Sequence, residues 1–267
     1  MEQDFASLNL VDGEEEPFEI HGTDSHFEDH HLCLVSVFLT ANVVHFESMK
    51  NTMADLWHPL GGITTTEIGD KCFLFLFYNE IDLSRVLQGT PWFFNKHLLL
   101  LHKIQDGEDH ALIPLVYSDF WVQVYDLPSG LMSEAIAKQF GNFIGRFLEY
   151  DPSQTFIGPS RIMGIKVTLD IRLPLKRKKK IVLRPDSFVY ARFQYEKLSL
   201  FCFICGKLGH GESFCPVRLS IKPKDISFGW DISLKAPPCR GLQVASKWLV
   251  EPGVNRIVTP DKEGVGT

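Results

Sequence analysis

Not one lysine or arginine occurs before Lys50, while Asp12, Glu14, Glu15, Glu16, Glu19, Asp24, Glu28 and Asp29 crowd the same stretch. So acidic a segment, broken by Gly13, Pro17 and Gly22, lacks the apolar periodicity that would order it, and residues 1–30 are expected to form a disordered acidic tail. It has no basic region followed by an apolar run, so it does not read as a signal peptide. No stretch reaches the ~18 uncharged apolar residues of a membrane-spanning helix. These absences point to an intracellular protein, in the nucleus or the cytoplasm, whose thiols stay reduced. Enzyme constellations are lacking too: there is no Walker loop, no His-Glu-x-x-His and no Gly-x-Ser-x-Gly elbow. A non-enzymatic protein is expected, with no catalytic residues and no small-molecule substrate.

What is present argues for folded domains. The 267 residues suffice for two, and 45% hydrophobic residues give them cores to bury. An α+β chain is predicted. In residues 31–110, a strand at Leu32–Leu39 precedes a helix at Asn42–Trp57, with apolar residues at three- and four-residue steps. Strands at Ile63–Ile68 and Lys71–Tyr78, a helix around Leu83, Val86 and Leu87, and a strand at His97–Ile104 complete a β-α-β-β-α-β order. That is the split βαβ of ferredoxin-like domains, which the RNA-recognition module also uses. Phe73, Phe75 and Phe77 alternate with Cys72, Leu74 and Leu76, so both faces of that strand are apolar and it reads as buried, not as an RNA-stacking surface.

A second, smaller α+β unit is expected over residues 114–198. Phe120–Tyr125 alternates like a strand, and Ser133 caps a helix carrying Ile136, Phe140, Phe143 and Ile144. A short strand follows at Phe147–Tyr150, then longer ones at Arg161–Ile171 and Phe188–Tyr195 with a basic segment between them. From Arg161 to Lys224 the chain holds 15 lysines and arginines against four acidic residues. The densest run is Lys176, Arg177, Lys178, Lys179 and Lys180, with Arg184 beyond it. Three readings of this run stay open: a solvated hairpin tip, a nuclear-localisation signal, or a loop that contacts backbone phosphates. Residues 220–267, with five prolines and little periodicity, are expected to be a flexible tail.

Of the six cysteines, Cys33, Cys72 and Cys239 stand alone, and the first two sit in apolar runs as core residues. The other three join a histidine in the segment CFICGKLGHGESFC, residues 199–219 forming the module around it. Cys202, Cys205, His210 and Cys215 have the spacing C-x2-C-x4-H-x4-C. Three thiolates and an imidazole are a normal tetrahedral set for one zinc ion, and four protein ligands leave no open position for hydrolytic water. Gly206 and Gly209 stand where a backbone turning about a metal needs freedom.

This segment resembles the zinc knuckle of retroviral and retrotransposon nucleocapsid proteins. More widely, over residues 30–220, the chain resembles plant proteins that join an N-terminal domain of unknown function to a knuckle of this spacing. Those proteins are similar to the first-ORF, gag-like product of LINE-type retrotransposons. The wider match is carried by Phe120–Pro128, Gly141–Gly145 and Phe193–Leu198. The resemblance implies an RNA-recognition-like first domain and binding of single-stranded RNA or DNA. It implies a base-stacking role for Phe203, the aromatic after the first cysteine; the charge and position of Lys176–Lys180 and Arg184, and of Lys207 within the knuckle, make these the further expected nucleic-acid contacts. Where retroviral knuckles place a bulky apolar residue after the histidine, this chain has Gly211 and then Glu212, leaving Leu208 or Phe214 as the second wall of a cleft. Two alternatives stay open, a protein-interaction adaptor and a genomic relic with no selected role; self-association through the first domain is a further expected contact.

Overall fold

The computed structural model describes residues 30–69, 71–105, 107–157 and 160–237. The acidic tail, but for His30, and the part of the C-terminal tail beyond residue 237 lie outside the described residues. The chain forms two compact units, each built on a five-stranded sheet.

In the first unit the alternation of β3 (Cys72–Phe77) organises the rest. Phe73, Phe75 and Phe77 are fully buried, each worth about 1.5–3 kcal/mol of apolar transfer. On their side lie α1 (Phe46–Trp57) and α2 (Glu80–Gln88). Trp57 meets Phe75 edge-on at 4.9 Å between ring centroids, and Phe46 stacks on Phe73 at 6.1 Å. Helix α1 starts later than predicted, because His45 is its cap, its Nδ1 accepting from the Ser48 N–H at 3.3 Å, and Val43 is left in solvent. The remaining strands are β1 (Cys33–Phe38), β2 (Ile63–Gly69), β4 (Trp92–Phe94) and β5 (His97–Lys103), in the order β2-β3-β1-β5-β4. This is the split βαβ order, with the short β4 added at one edge.

The other face of this sheet is covered as well. Cys33, Val35 and Ile104 are buried there, with Leu74, Leu76, Ile113 and Leu115 packed on them. Both sides of β3 are therefore apolar contacts, as its sequence predicts, and no aromatic ring of β3 is presented to solvent.

The second unit repeats the plan with one part exchanged. Its elements are β6 (Tyr117–Tyr125), α3 (Glu134–Ile144), β7 (Arg146–Ile157), β8 (Ser160–Asp170), β9 (Lys178–Arg184) and β10 (Ser187–Tyr195). The strand order β7-β8-β6-β10-β9 matches the first sheet position for position. Where α2 links the third and fourth strands of the first unit, residues 171–177 run here without a helix. Ser133 caps α3, its hydroxyl accepting from the Ile136 N–H at 3.4 Å. Phe140 and Phe143 of α3 pack on Phe193. Gly141 allows close approach to β7, since a Cβ there would lie 2.6 Å from the Phe147 ring.

Three expectations are corrected here. The second unit is not a reduced one: β7 runs for 12 residues and β8 for 11. Register shifts at Phe147/Glu149 and Asp151/Thr155 break the alternation of β7, which is why only its first residues read as strand. The basic segment is not a hairpin tip, because Lys178, Lys179 and Lys180 are the first half of the edge strand β9 and the turn falls at residues 185–186. Nor is the chain loose directly after residue 220. Leu234 is buried, the Ala236 N–H donates to the Tyr195 carbonyl at 3.0 Å, and Lys235 bridges to Tyr195. Trp230 and Leu234 supply the apolar surface that holds this segment, and irregular backbone gives no period to read.

Candidate metal centre

The knuckle is a tight loop shaped by backbone bonds before any metal is considered. Phe201 and Leu208 bridge across it, the Cys202 N–H donates to the Lys207 carbonyl at 2.9 Å, and the Gly206 N–H donates to the Cys202 carbonyl at 2.8 Å. Gly206 and Gly209 take φ of +73° and +90°, a region where a side chain is strained. The turn brings the Sγ atoms of Cys202, Cys205 and Cys215 and a ring nitrogen of His210 within 4.8 Å of one another, with Cys205 Sγ 3.3 Å from His210 Nε2. Ligands about 2.3 Å from a tetrahedral zinc ion need separations of this size.

The electrostatics of the donors agree with a cation. Burial pushes the Cys202 thiol up to about 12. Cys215 moves the other way: burial raises it, but hydrogen bonds from Cys202, Cys205 and the backbone of Val217 and Arg218 outweigh that and hold it below the ordinary thiol value. Thiols this close cannot all ionise by themselves, and a divalent ion supplies the missing positive charge. The four residues fit one zinc ion in a closed set of ligands.

The knuckle is fastened to the second unit on both sides. The Leu175 N–H donates to the Gly206 carbonyl at 2.9 Å. The Trp230 N–H donates to the Phe203 carbonyl at 3.1 Å, and its indole Nε1 donates to the Leu175 carbonyl at 2.8 Å. Trp230 lies so close under Gly206 that a Cβ there would sit 2.2 Å from the indole. Phe203 is half-buried, its ring 5.0 Å from that of Phe201. Glu212 accepts from the Phe203 N–H at 2.9 Å, so the acidic residue in the loop braces it. Leu208 is buried and Phe214 is exposed, which leaves Phe214 as the free apolar side chain of the loop. Lys207 points to solvent.

The structure divides the basic run among several surroundings. Lys176 and Lys179 lie over Phe143 of α3, at 5.7 and 4.1 Å from the ring centroid. Arg177 lies 5.0 Å over Trp230 and donates to the Gly229 carbonyl, which places it beside the knuckle. Lys178 lies 4.8 Å over Tyr190 and Lys180 3.9 Å over Phe188. Arg184 ends β9, exposed. The sequence reading missed Phe188, Tyr190 and Trp230. The first two carried a signal, aromatics two residues apart in SFVYARFQY, whereas Trp230 meets the knuckle only through the fold.

An α+β unit with a Cys3His loop docked on it, together with a split βαβ domain, defines a zinc-knuckle protein of two sheets. Comparison with known families agrees: residues 169–217 match the model described as a zinc knuckle, and residues 27–111 match a domain of unknown function, DUF4283. The zinc-knuckle match begins far upstream of Cys202 and takes in β9 and β10. An uncharacterized protein of Arabidopsis thaliana is 24% identical over 138 residues, which is 52% of this chain and 43% of that protein. The match thus spans less than half of the relative's length.

Proposed function

We propose that this chain is a non-enzymatic, intracellular protein that binds single-stranded nucleic acid through its zinc knuckle and the basic strand beside it. The observation that carries this reading is the fastening of the knuckle at Leu175, one residue ahead of the run Lys176–Lys180, with Arg177 at the joint. The metal-held loop and the start of the chain's densest positive run are therefore joined, with Arg177 between them. Phosphates are attracted whatever the base sequence, and unpaired bases find an aromatic in Phe203. In the family resemblance this is a gag-like role. Titration with short oligo(U) and oligo(dT) at several salt concentrations tests it. Affinity is expected to fall steeply with salt, and binding that ignores salt overturns the reading.

One observation favours the adaptor alternative. Phe214, just before the last zinc ligand, and Leu219, four residues after it, are 82% and 93% exposed, as a small apolar contact for a protein would be. Salt-insensitive capture of a protein that Phe214→Ser abolishes would support that reading over the first.

A further inference from the structure

Strand β9 is the edge of the second sheet, and edge lysines are an ordinary guard against strand pairing. The residues facing them do not fit a guard. In the register of β9 with β10, Lys180 stands opposite Tyr190, Val182 opposite Phe188, and Lys178 opposite Arg192. Opposed residues share a face. Ala191 and Phe193 point to the other face and are buried, Phe193 against α3. The shared face is thus the one turned away from the helix. On it Phe188 is 51% and Tyr190 42% exposed, their rings edge-to-face at 5.7 Å. Two neighbouring aromatics exposed on the strand next to the edge add apolar surface where the lysines guard against association, so the pair is a liability unless a ligand uses it.

The geometry points to a second binding site on this face: we propose that Tyr190 and Phe188 stack successive unpaired bases while Lys178 and Lys180 hold the phosphates between them. Each ring already has an ammonium at its π face, at 4.8 Å for Tyr190 and 3.9 Å for Phe188. A single strand offers a base for each ring and an anion for each ammonium, and few other ligands offer both in repeat. Residues two apart on a strand are about 6.8 Å apart, a distance that one extended nucleotide spans. Arg192 is bound by Asp126 and positions the row rather than holding phosphate. A duplex is excluded, because its bases are already stacked. The ligand class rests on the reading of the chain as a single-strand binder; the site shares Lys178 and Lys180 with that reading, adds the β10 aromatics, and lies apart from the knuckle.

The experiment uses the zinc-loaded full chain and fluorescein-labelled oligo(U), alone and annealed to oligo(A). The variant is Phe188→Thr with Tyr190→Thr, which keeps strand propensity. Zinc content and melting temperature report that the fold survives. A loss of at least about fivefold per ring is expected for the single strand, with little change for the duplex and with Tyr190→Phe near wild type. Lys178→Gln with Lys180→Gln is expected to flatten the logarithmic salt slope by about 1.4. Photocrosslinking with 4-thiouridine in the oligomer is expected to label the peptide of residues 187–195. If wild type binds oligo(U), but the double threonine variant binds equally well and crosslinks map only to the knuckle, the second site is overturned and the proposed function stands. If wild type binds no single strand, both are overturned.

Discussion

At the scale of single residues, the chemistry concentrates in a few positions whose roles are separable. Cys205→Ser removes one of four ligands, and metal analysis is expected to show loss of the single zinc. Gly206→Ala leaves every ligand in place but puts a Cβ at +73° φ and 2.2 Å from Trp230. It is expected to destabilise the second unit by about 1–3 kcal/mol in chemical denaturation. A variant as stable as wild type would mean that Trp230 does not fasten the knuckle. Phe203→Ala is expected to keep the zinc and to cost about 1–3 kcal/mol of single-strand affinity. The Phe203 N–H still reaches Glu212 in that variant, so the loop keeps its brace. Equal losses on single strand and duplex would show the effect to be structural.

The elements carry the next layer. In α2, Asp82 is buried, accepts from the Gly61 N–H at 2.8 Å and pairs with Arg85 at 3.1 Å. The Gly61 hydrogen bond, against the opposing effect of burial, holds its carboxyl below the usual carboxylate range, with Leu60 and Arg85 helping. A carboxyl whose folded value is depressed stabilises above its ordinary value of about 3.9 and loses that contribution as pH falls through the folded value. The first unit is therefore expected to weaken with acid below about pH 4. Asp82→Asn is expected to flatten that limb in pH-dependent denaturation. The elements also mark the boundary of what the sequence discloses. Alternation in β3 and the three- and four-residue steps of α1 are visible because one buried face repeats along each. Strand β9 is hidden because three lysines in succession occupy both of its faces and erase the period. Strand β7 is hidden by its register shifts. The four zinc ligands are legible because a metal gathers residues close in sequence, while the bond from Trp230 to Leu175 joins residues 55 apart and leaves no local mark.

At the scale of the whole molecule, metal and fold are linked in one unit only. All four ligands and both fastenings of the knuckle belong to the second unit, and the first has its own core of Phe73, Phe75 and Phe77. Calorimetry with and without a chelator is expected to move one transition and leave the other. A common shift of both would show that the units melt together. The two sheets share one strand order but differ in how their faces are covered. The first sheet is covered on both faces, whereas the second leaves exposed aromatics on the face opposite α3. The repeated order places β6 at the centre of its sheet, between β8 and β10. A ribosome delivers that central strand first and its last neighbour about 70 residues later. During that interval β6 has one flank without its hydrogen-bonded neighbour, and the backbone groups that later pair with β10 stay open. Translation must also reach Trp230 before its bonds to Phe203 and Leu175 can form, so a nascent chain that ends between the knuckle and Trp230 holds its zinc loop by the Leu175 bond to Gly206 without those from Trp230.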